Sequence, residues 1–518
     1  MSIQPPDSIV RAFLNSCERT PDKACVETDG RRYTYAGLRD VALHWCGSLI
    51  DWGLRPGDRV ALFLDNSPTF IAAYLGLHMA GGIVVLVNTQ YRQVELRHIL
   101  GDSGARLCVA DEERLAELAK VRGDLPALEA AITTNAEAAA LRFEGERRAT
   151  KDSTFDTPHS TFHIPSSDSV AIIAYTSGTT GRSKGAMLTH GNLVANSLAV
   201  TTAWGWSAGD RLLLTLPLFH IHGLGVGAHG TLLTGSTLDL RNRFDAAEVF
   251  DTLMASRTTM FFGVPTMYTR LIAEARKRGH APEPIRLYVS GSAPLSAQTF
   301  EEFEHLFGQR ILERYGMTET VMNLTNPYHG ERRPGTVGQP FPGQEARIVD
   351  VKTRKPVHDN RPGEIQVRGP HVFKGYWQNP LATTESFDAE GWFNTGDLGW
   401  RSADGYYTIS GRARELIISG GYNVYPREVE EALQTHPGVA EAAVIGLPHP
   451  DLGEQVVAVV VRRANAPTLS AEELIAYCRD QLAAYKKPRQ VHFVEALPRN
   501  ALGKVQKHVL VASSLRGR

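Results

Sequence analysis

Tyr175-Thr-Ser-Gly-Thr-Thr-Gly-Arg-Ser-Lys-Gly185 continues directly from Ala171-Ile-Ile-Ala-Tyr175. The five leading residues are a short, apolar, partly β-branched run, which predicts a buried strand. The residues after Tyr175 are almost wholly small hydroxyl residues and glycines, with Lys184 near the end of the stretch. Such a loop offers backbone N–H groups, hydroxyls and an ammonium to a polyanion. Gly178 and Gly181 let the backbone approach closely. The stretch is not a Walker A loop, because Ser183 stands where the second glycine should be and Gly185 follows the lysine. On composition alone, a Gly/Ser/Thr loop is more often a solvated connection. The strand before it, the internal lysine and matching segments downstream favour the phosphate-binding reading.

Outward from this loop the chain alternates strand and helix. Arg59–Leu64, Ile83–Leu86, Ser169–Tyr175, Arg211–Leu216, Thr237–Leu240, Thr259–Phe262 and Leu287–Val289 read as strands, and Pro68–Ala80, Ala246–Ser256 and Thr266–Lys277 as helices. This βαβ spacing predicts an α/β fold with parallel-rich sheets covered by helices. Residues 122–165 carry no strong period and read as a variable helix and a surface connection. From Gly363 to Ile409 short strands separated by turns predict a small β-rich subdomain. Beyond Gly411-Arg412 comes a compact α+β segment: helix Pro426–Gln434, strands Ala440–Ile445 and Gln455–Val461, helix Ala471–Leu482. A chain of 518 residues exceeds one ordinary core. The expected division is a large N-terminal domain, 1–411, and a small C-terminal one, 412–518.

Apolar content of 42% and charged content of 21% are those of a soluble globular protein. The net charge of −1 gives no electrostatic case for nucleic acid or an anionic membrane. Five scattered cysteines without a C-x-x-C fit a reducing compartment, and neither a disulfide framework nor a zinc site. No secretory signal is visible at the N-terminus, and the apolar run Ile83–Val87 is too short to span a bilayer. The expectation is a cytoplasmic enzyme with no transmembrane segment.

Further motifs occur in order: Tyr315-Gly-Met-Thr-Glu319, Gly396-Asp-Leu-Gly399, Gly411-Arg412, Gly420-Gly-Tyr-Asn423 and Pro498-Arg-Asn-Ala-Leu-Gly-Lys504. With Tyr175–Gly185, they resemble the adenylate-forming superfamily of acyl-CoA synthetases, firefly luciferases and peptide-synthetase adenylation domains. The resemblance implies attack of a carboxylate on the α-phosphorus of ATP, loss of pyrophosphate, and displacement of AMP by a thiol. ATP and CoA are then substrates and Mg²⁺ accompanies ATP. Negative charge develops on phosphate oxygens in both steps, so donors and cations matter more than a protein nucleophile.

The same resemblance implies the roles of individual residues. Thr176, Ser177, Gly178, Thr179, Thr180, Gly181 and Lys184 would cradle the β/γ-phosphates. Glu319 would ligate Mg²⁺, with Thr176 as a weaker ligand, and Thr318 would contact the α-phosphate. Gly291, Ser292 and Ala293, with Tyr315 and Gly316, would wall the adenine slot. Asp397 would accept both ribose hydroxyls, with Arg412 at the ribose end. Lys504 would bridge carboxylate and α-phosphate during adenylation. Gly420, Gly421 and Tyr422 would line a pantetheine tunnel after the small domain rotates about the hinge at Arg414. His220 and Met317 would border the acyl pocket, although a lone histidine is more often a packed core residue.

Arg314 bears on which acid is used. Monocarboxylate-activating relatives usually have glycine directly before the Tyr-Gly-x-Thr-Glu motif, and this chain has Arg314. The form Leu312-Glu-Arg-Tyr-Gly-Met-Thr-Glu319 resembles malonyl-CoA synthetases, as do Arg286–Pro294, Asn326–Tyr328, Gly330–Arg333 and Leu497–Lys507. A guanidinium is a costly wall for a hydrocarbon tail and a suitable bidentate partner for a second carboxylate. The plain alternative for Arg314 is an ion pair with Glu313 or Glu319, or a more distant salt bridge. The other functional alternatives are a ligase for another short or aromatic acid, and a free-standing adenylation enzyme that loads a carrier protein.

Overall fold

The computed structural model describes residues 5–133, 141–142, 162–176, 183–255, 257–419, 422–500 and 503–516, with only the backbone at 141, 142, 414, 423, 480, 515 and 516. Ser177–Gly181, Gly420 and Gly421 therefore lie outside the described residues.

The large N-terminal portion is built on two parallel-rich sheets. One runs Gln339–Pro340, Leu324–Thr325, Leu312–Tyr315, Leu287–Ser290, Met260–Gly263, Arg211–Leu214, Thr237–Leu240, Ala24–Thr28, Arg31–Thr34. Its six strands from Leu312–Tyr315 to Ala24–Thr28 are parallel. Most of these are buried along their whole length, which is why they read as continuous apolar runs with no alternation. The other sheet runs Gly375–Tyr376, Lys184–Thr189, Val170–Thr176, Ile83–Leu86, Arg59–Phe63, Leu107–Ala110, Ala130–Thr133, Leu141–Arg142.

One core cluster joins residues of both sheets to the helices Tyr35–Asp51, Pro68–Met79 and His190–Ala203. Helix Pro68–Met79 is buried at every residue from Phe70 to Met79. Ser67 caps its first turn by accepting from the Phe70 N–H, and Pro68 opens it with no N–H to satisfy. Gly76 has to be glycine, because a side chain there would start 2.4 Å from the Ala42 carbonyl oxygen.

A four-stranded antiparallel sheet, Glu345–Val349, Gly363–Arg368, Phe393–Arg401 and Tyr407–Arg412, completes the large portion. From Ile417 onward a five-stranded sheet with helices Pro426–Gln434, Ala471–Gln481 and Lys507–Arg516 forms the small C-terminal portion around its own apolar clusters. Among the described residues, no helix is long and apolar enough to cross a membrane.

Three local expectations change. Residues 122–165 were expected to hold no strand, yet Ala130–Thr133 pairs parallel with Leu107–Ala110; four residues are too few to display a period. Lys184 opens a return strand, with Thr176 opposite Lys184 and Tyr175 opposite Gly185, so the residues flanking positions 177–182 are paired antiparallel. Gly396 and Gly399 resemble turn residues but lie inside strand Phe393–Arg401. Gly396 takes φ +71° and a side chain at Gly399 would start 2.2 Å from the Thr408 carbonyl oxygen.

The core encloses His78, His190 and His229. Tyr74 Oη lies 2.9 Å from His229 Nε2, and the His78 and His190 rings meet edge-on. Burial pushes His78 and His229 down to about 3 and His190 well below its ordinary value. All three are neutral when folded and take up protons more readily when unfolded. Their contribution is therefore fully present above the unfolded value near 6.5 and is lost as the pH falls from there toward about 3. The loss should reach roughly 1.4 kcal/mol per histidine per pH unit in that window. Thermal melts from pH 7.5 to 5.0 should show this slope, and His78→Gln should lower it by about one proton's worth. An unchanged slope in that variant sinks the assignment.

Candidate active site

The site gathers at the carboxyl ends of adjacent parallel strands. Tyr315 ends strand Leu312–Tyr315, Gly291 comes just after Leu287–Ser290, Thr266 lies beyond Met260–Gly263, and His220 beyond Arg211–Leu214. Open parallel sheets hold ligands in this position, because the loops leaving the strands converge there.

At the nucleotide end, Asp397 and Arg412 face each other across two antiparallel strands, with Arg412 Nε 2.8 Å from Asp397 Oδ1. Tyr315 Oη donates to Asp397 Oδ2 at 2.5 Å. Each carboxylate oxygen keeps a second lone pair, so Asp397 can still accept from vicinal hydroxyls. Burial, then the Asp397 charge, pushes the Tyr315 phenol well above its ordinary value, so it remains a donor.

After Tyr315 the chain turns sharply. A side chain at Gly316 would start 2.0 Å from the Val321 carbonyl oxygen, and Val321 itself has φ +59°. This turn brings Glu319 back to the sheet edge, 5% exposed. Its Oε1 accepts from Tyr376 Oη at 3.0 Å and lies 3.5 Å from Thr176 Oγ1. Burial raises the Glu319 carboxyl above its ordinary value. A desolvated carboxylate beside a hydroxyl is an all-oxygen donor set, which fits a hard divalent cation that completes its shell with phosphate oxygens and water. Lys184 Nζ stands 5.1 Å from the Tyr376 ring centre, on the same side of the site. Thr318 and Met317 occupy the turn between Gly316 and Glu319 and are half-buried.

The hairpin bearing the phosphate loop is held at both flanks by one helix, Gln93–Ser103. Tyr175 Oη donates to Asp102 Oδ2 at 2.5 Å, and His98 Nε2 contacts the Ser183 carbonyl at 2.7 Å. His98, Asp102 and Tyr376 carry no motif of their own, so only the packing of helix Gln93–Ser103 and the pairing of strand Gly375–Tyr376 reveal their place.

At the acyl end Arg314 is 3% exposed. Its Nε and Nη2 have no hydrogen-bond partner among the described residues. These two atoms share one edge of the guanidinium, the edge that grips a carboxylate with two parallel bonds. Glu313 points to the opposite face of the strand and accepts from the Leu295 N–H at 3.0 Å; Glu319 is bound to Tyr376 and Thr176. Neither forms the ion pair that the plain alternative required. Arg314 crosses directly over Gly291, where any side chain would start 2.4 Å from its Cζ. Burial pushes Arg314 down to about 9, and it remains a cation at neutral pH.

His222 and His220 sit beside this charge. His222 Nδ1 lies 3.1 Å from Ser292 Oγ, and its Nε2 is buried without a partner among the described residues. The His222 N–H donates to His220 Nδ1 at 3.2 Å, which leaves the proton of neutral His220 on Nε2. Burial and then Arg314 push His220 down to about 4 and His222 well below its ordinary value, so both are neutral donors or acceptors near pH 7. Sequence reasoning singled out His220 and missed His222, whose only signal is the spacing His-Ile-His.

The turn bearing Lys504 reaches this sheet edge from the small portion. A side chain at Gly503 would start 3.1 Å from Thr266 Oγ1. Arg463 of the small portion also donates to Gln298 of the large one at 3.3 Å. The backbone at Arg414 lies in the 3-10 turn Ala413–Glu415 between the two portions. Tyr422 is exposed and stacks on Tyr485, with ring centres 4.7 Å apart, next to the undescribed Gly420 and Gly421.

An Asp397–Arg412 edge that fits a ribose, a buried carboxylate that fits a hard cation and a lysine turn reaching the sheet edge from the small portion are the arrangement an adenylate-forming enzyme needs. Two family models agree: AMP-binding enzyme over residues 13–377, and AMP-binding enzyme C-terminal domain over 428–504. The chain belongs to the AMP-binding enzyme family and is an AMP-forming acid–thiol ligase. It is 39% identical to a sulfoacetate–CoA ligase of Cupriavidus necator, covering 97% of each chain. It is 33% identical to a malonate–CoA ligase of Arabidopsis thaliana, covering 98% of this chain and 88% of the relative. Among solved structures it resembles ATP-bound MatB from Rhodopseudomonas palustris, with TM-score 0.88, 38% identity, and 97% of this chain and 98% of that one covered.

Proposed function

We propose that the protein joins a short acid bearing a second anionic group to CoA at the expense of ATP, with malonate as the preferred acid and methylmalonate as its nearest variant. The observation that carries this reading is the unpartnered Nε/Nη2 edge of buried Arg314. An isolated buried guanidinium is expensive to hold, and a distal carboxylate pairs with it. His222 Nε2 and His220 Nε2 are further polar contacts for that end of the substrate.

In this reading Thr318 and Lys504 meet the reacting carboxylate and α-phosphate, and Lys184 with Thr176 steadies the departing pyrophosphate. Glu319, with Thr176, holds Mg²⁺, which supplies charge neutralisation at the phosphates. Asp397 and Arg412 fix the ribose, and Tyr315, Gly316, Gly291, Ser292 and Ala293 bound the adenine. The small domain, taken from residue 412 onward, turns about Arg414 to bring Gly420, Gly421 and Tyr422 against pantetheine.

A second reading is favoured by the same Arg314 edge. A sulfonate presents oxygens to a fork as well as a carboxylate does, so a sulfoacetate-like acid fits the same pocket. A side-by-side assay of malonate, methylmalonate, sulfoacetate, acetate, butyrate and benzoate, reading pyrophosphate and acyl-CoA, separates them. Release of ADP, transfer of the acyl group only to a carrier protein, or preference for butyrate or benzoate would overturn the proposal.

A further inference from the structure

Lys507 lies three residues after Lys504, at the start of helix Lys507–Arg516. Its side chain is 18% exposed, and its Nζ stands 2.6 Å from Glu430 Oε1 and 3.5 Å from Glu415 Oε2. These carboxylates come from two different elements. Glu430 sits in helix Pro426–Gln434 and also accepts the Val444 N–H at 2.8 Å. Glu415 closes the 3-10 turn Ala413–Glu415, directly after Arg412, which pairs with Asp397 in the nucleotide site. One carboxylate would neutralise the ammonium; the second links it to the connection between the two portions of the enzyme.

The described residues on either side of positions 501–502 are tied to one another. The Asn500 N–H donates to the Lys504 carbonyl, the Lys504 N–H to Asn500 Oδ1, and the Gly503 N–H to the Asn500 carbonyl, each at 2.9 Å. The Gln506 N–H donates to the Pro498 carbonyl at 2.8 Å. Arg499 Nη2 binds Glu441 at 2.6 Å, and Arg499 Nη1 binds the Gly503 carbonyl. Nothing in this set refers the turn to the hinge. The Lys507–Glu415 contact does.

We propose that Lys507 is a positioning residue for adenylation: through Glu415 it registers the turn bearing Lys504 to the hinge, so that Lys504 reaches the α-phosphate when the two portions close. The inference rests on the adenylation role proposed for Lys504. A cation displaced by about 1 Å from developing charge loses on the order of a hundredfold in rate, which is the scale expected here.

The test uses full-length Lys507→Met, Lys507→Arg, Glu415→Gln and the double variant Lys507→Met/Glu415→Gln, beside Lys504→Ala. Adenylation is read as acid-dependent pyrophosphate–ATP exchange, thioester formation from preformed acyl-adenylate and CoA, and folding as the melting temperature. Lys507→Met should lower kcat of exchange about 10- to 100-fold, with KM for ATP and acid and the thioester step changed by less than about threefold. Arg at 507 spans the same two carboxylates and should restore most of the rate. Glu415→Gln should act in the same direction, and the double variant should be no worse than Lys507→Met alone, since both remove one link. Equal losses in both half-reactions, or additive losses in the double variant, overturn the proposal and leave Lys507 a stabiliser of the small portion. If Lys504→Ala does not itself act selectively on adenylation, the reading of Lys504 is what has failed.

Discussion

Arg314→Ala should lower kcat/KM for malonate by two to three orders of magnitude while acetate and butyrate are turned over as well as before or better. Wild-type Arg314 is 3% exposed with its Nε and Nη2 donors unpartnered among the described residues. Removing one member of a buried charge pair commonly costs ~3–5 kcal/mol, which gives that rate factor. The substrate-free protein should respond in the opposite sense. Its guanidinium forms no ion pair among the described residues, so Arg314→Met, which keeps the volume and removes the charge, should raise the melting temperature. A gain of about 1 kcal/mol would show as roughly 1 °C in a chain of this size. Arg314→Lys should rescue malonate turnover poorly, because an ammonium cannot span two oxygens along one edge. Kinetics on malonate, sulfoacetate and butyrate with melts of the apo variants decide the matter. Equal losses on all three acids, or a lower apo melting temperature in Arg314→Met, would show that Arg314 holds structure instead of substrate.

Much of the site was legible in the sequence because its parts are short, local and chemically unusual. Tyr315-Gly-Met-Thr-Glu319 places an aromatic, a glycine that no other residue can replace and a carboxylate in one turn, and each has a visible reason. Asp397 and Arg412 were each readable, but their 2.8 Å contact was not, since it depends on the register of two antiparallel strands. His98 and Asp102 were illegible for the same reason: they lie on an ordinary helix, and only tertiary packing brings them to the flanks of the phosphate loop. Lys184 was legible as the cation of the Gly/Ser/Thr stretch and illegible as the first residue of a strand, because Lys-Gly-Ala-Met-Leu-Thr shows weak alternation. Sequence could name Arg314 as a charge near the acyl end. It could not show that Glu313 faces the other way and that the guanidinium edge is left for a ligand.

Lys504→Ala should lower acid-dependent pyrophosphate–ATP exchange by about two to three orders of magnitude and leave thioester formation from preformed acyl-adenylate largely intact. The turn bearing Lys504 is carried by the small portion and reaches the carboxyl edge of the large sheet, where Gly503 lies against Thr266. A cation delivered in this way acts only in the arrangement that brings it to the α-phosphate. Loss of one such electrostatic contact typically costs ~3–4 kcal/mol of transition-state stabilisation, about two to three orders of magnitude in kcat. KM for ATP should move far less, because the residues proposed to hold the nucleotide, Asp397, Arg412, Tyr315 and Glu319, lie apart from the Lys504 turn. Thioester formation starts after pyrophosphate has gone and is proposed to draw on the Tyr422 face, which is exposed here and distinct from the Lys504 turn. Separate assays of the two half-reactions, at saturating ATP and at saturating CoA, discriminate the cases. Parallel loss in both would mean that Lys504 supports the folded small portion in every arrangement, and that a rotation between two working poses is not what this lysine serves.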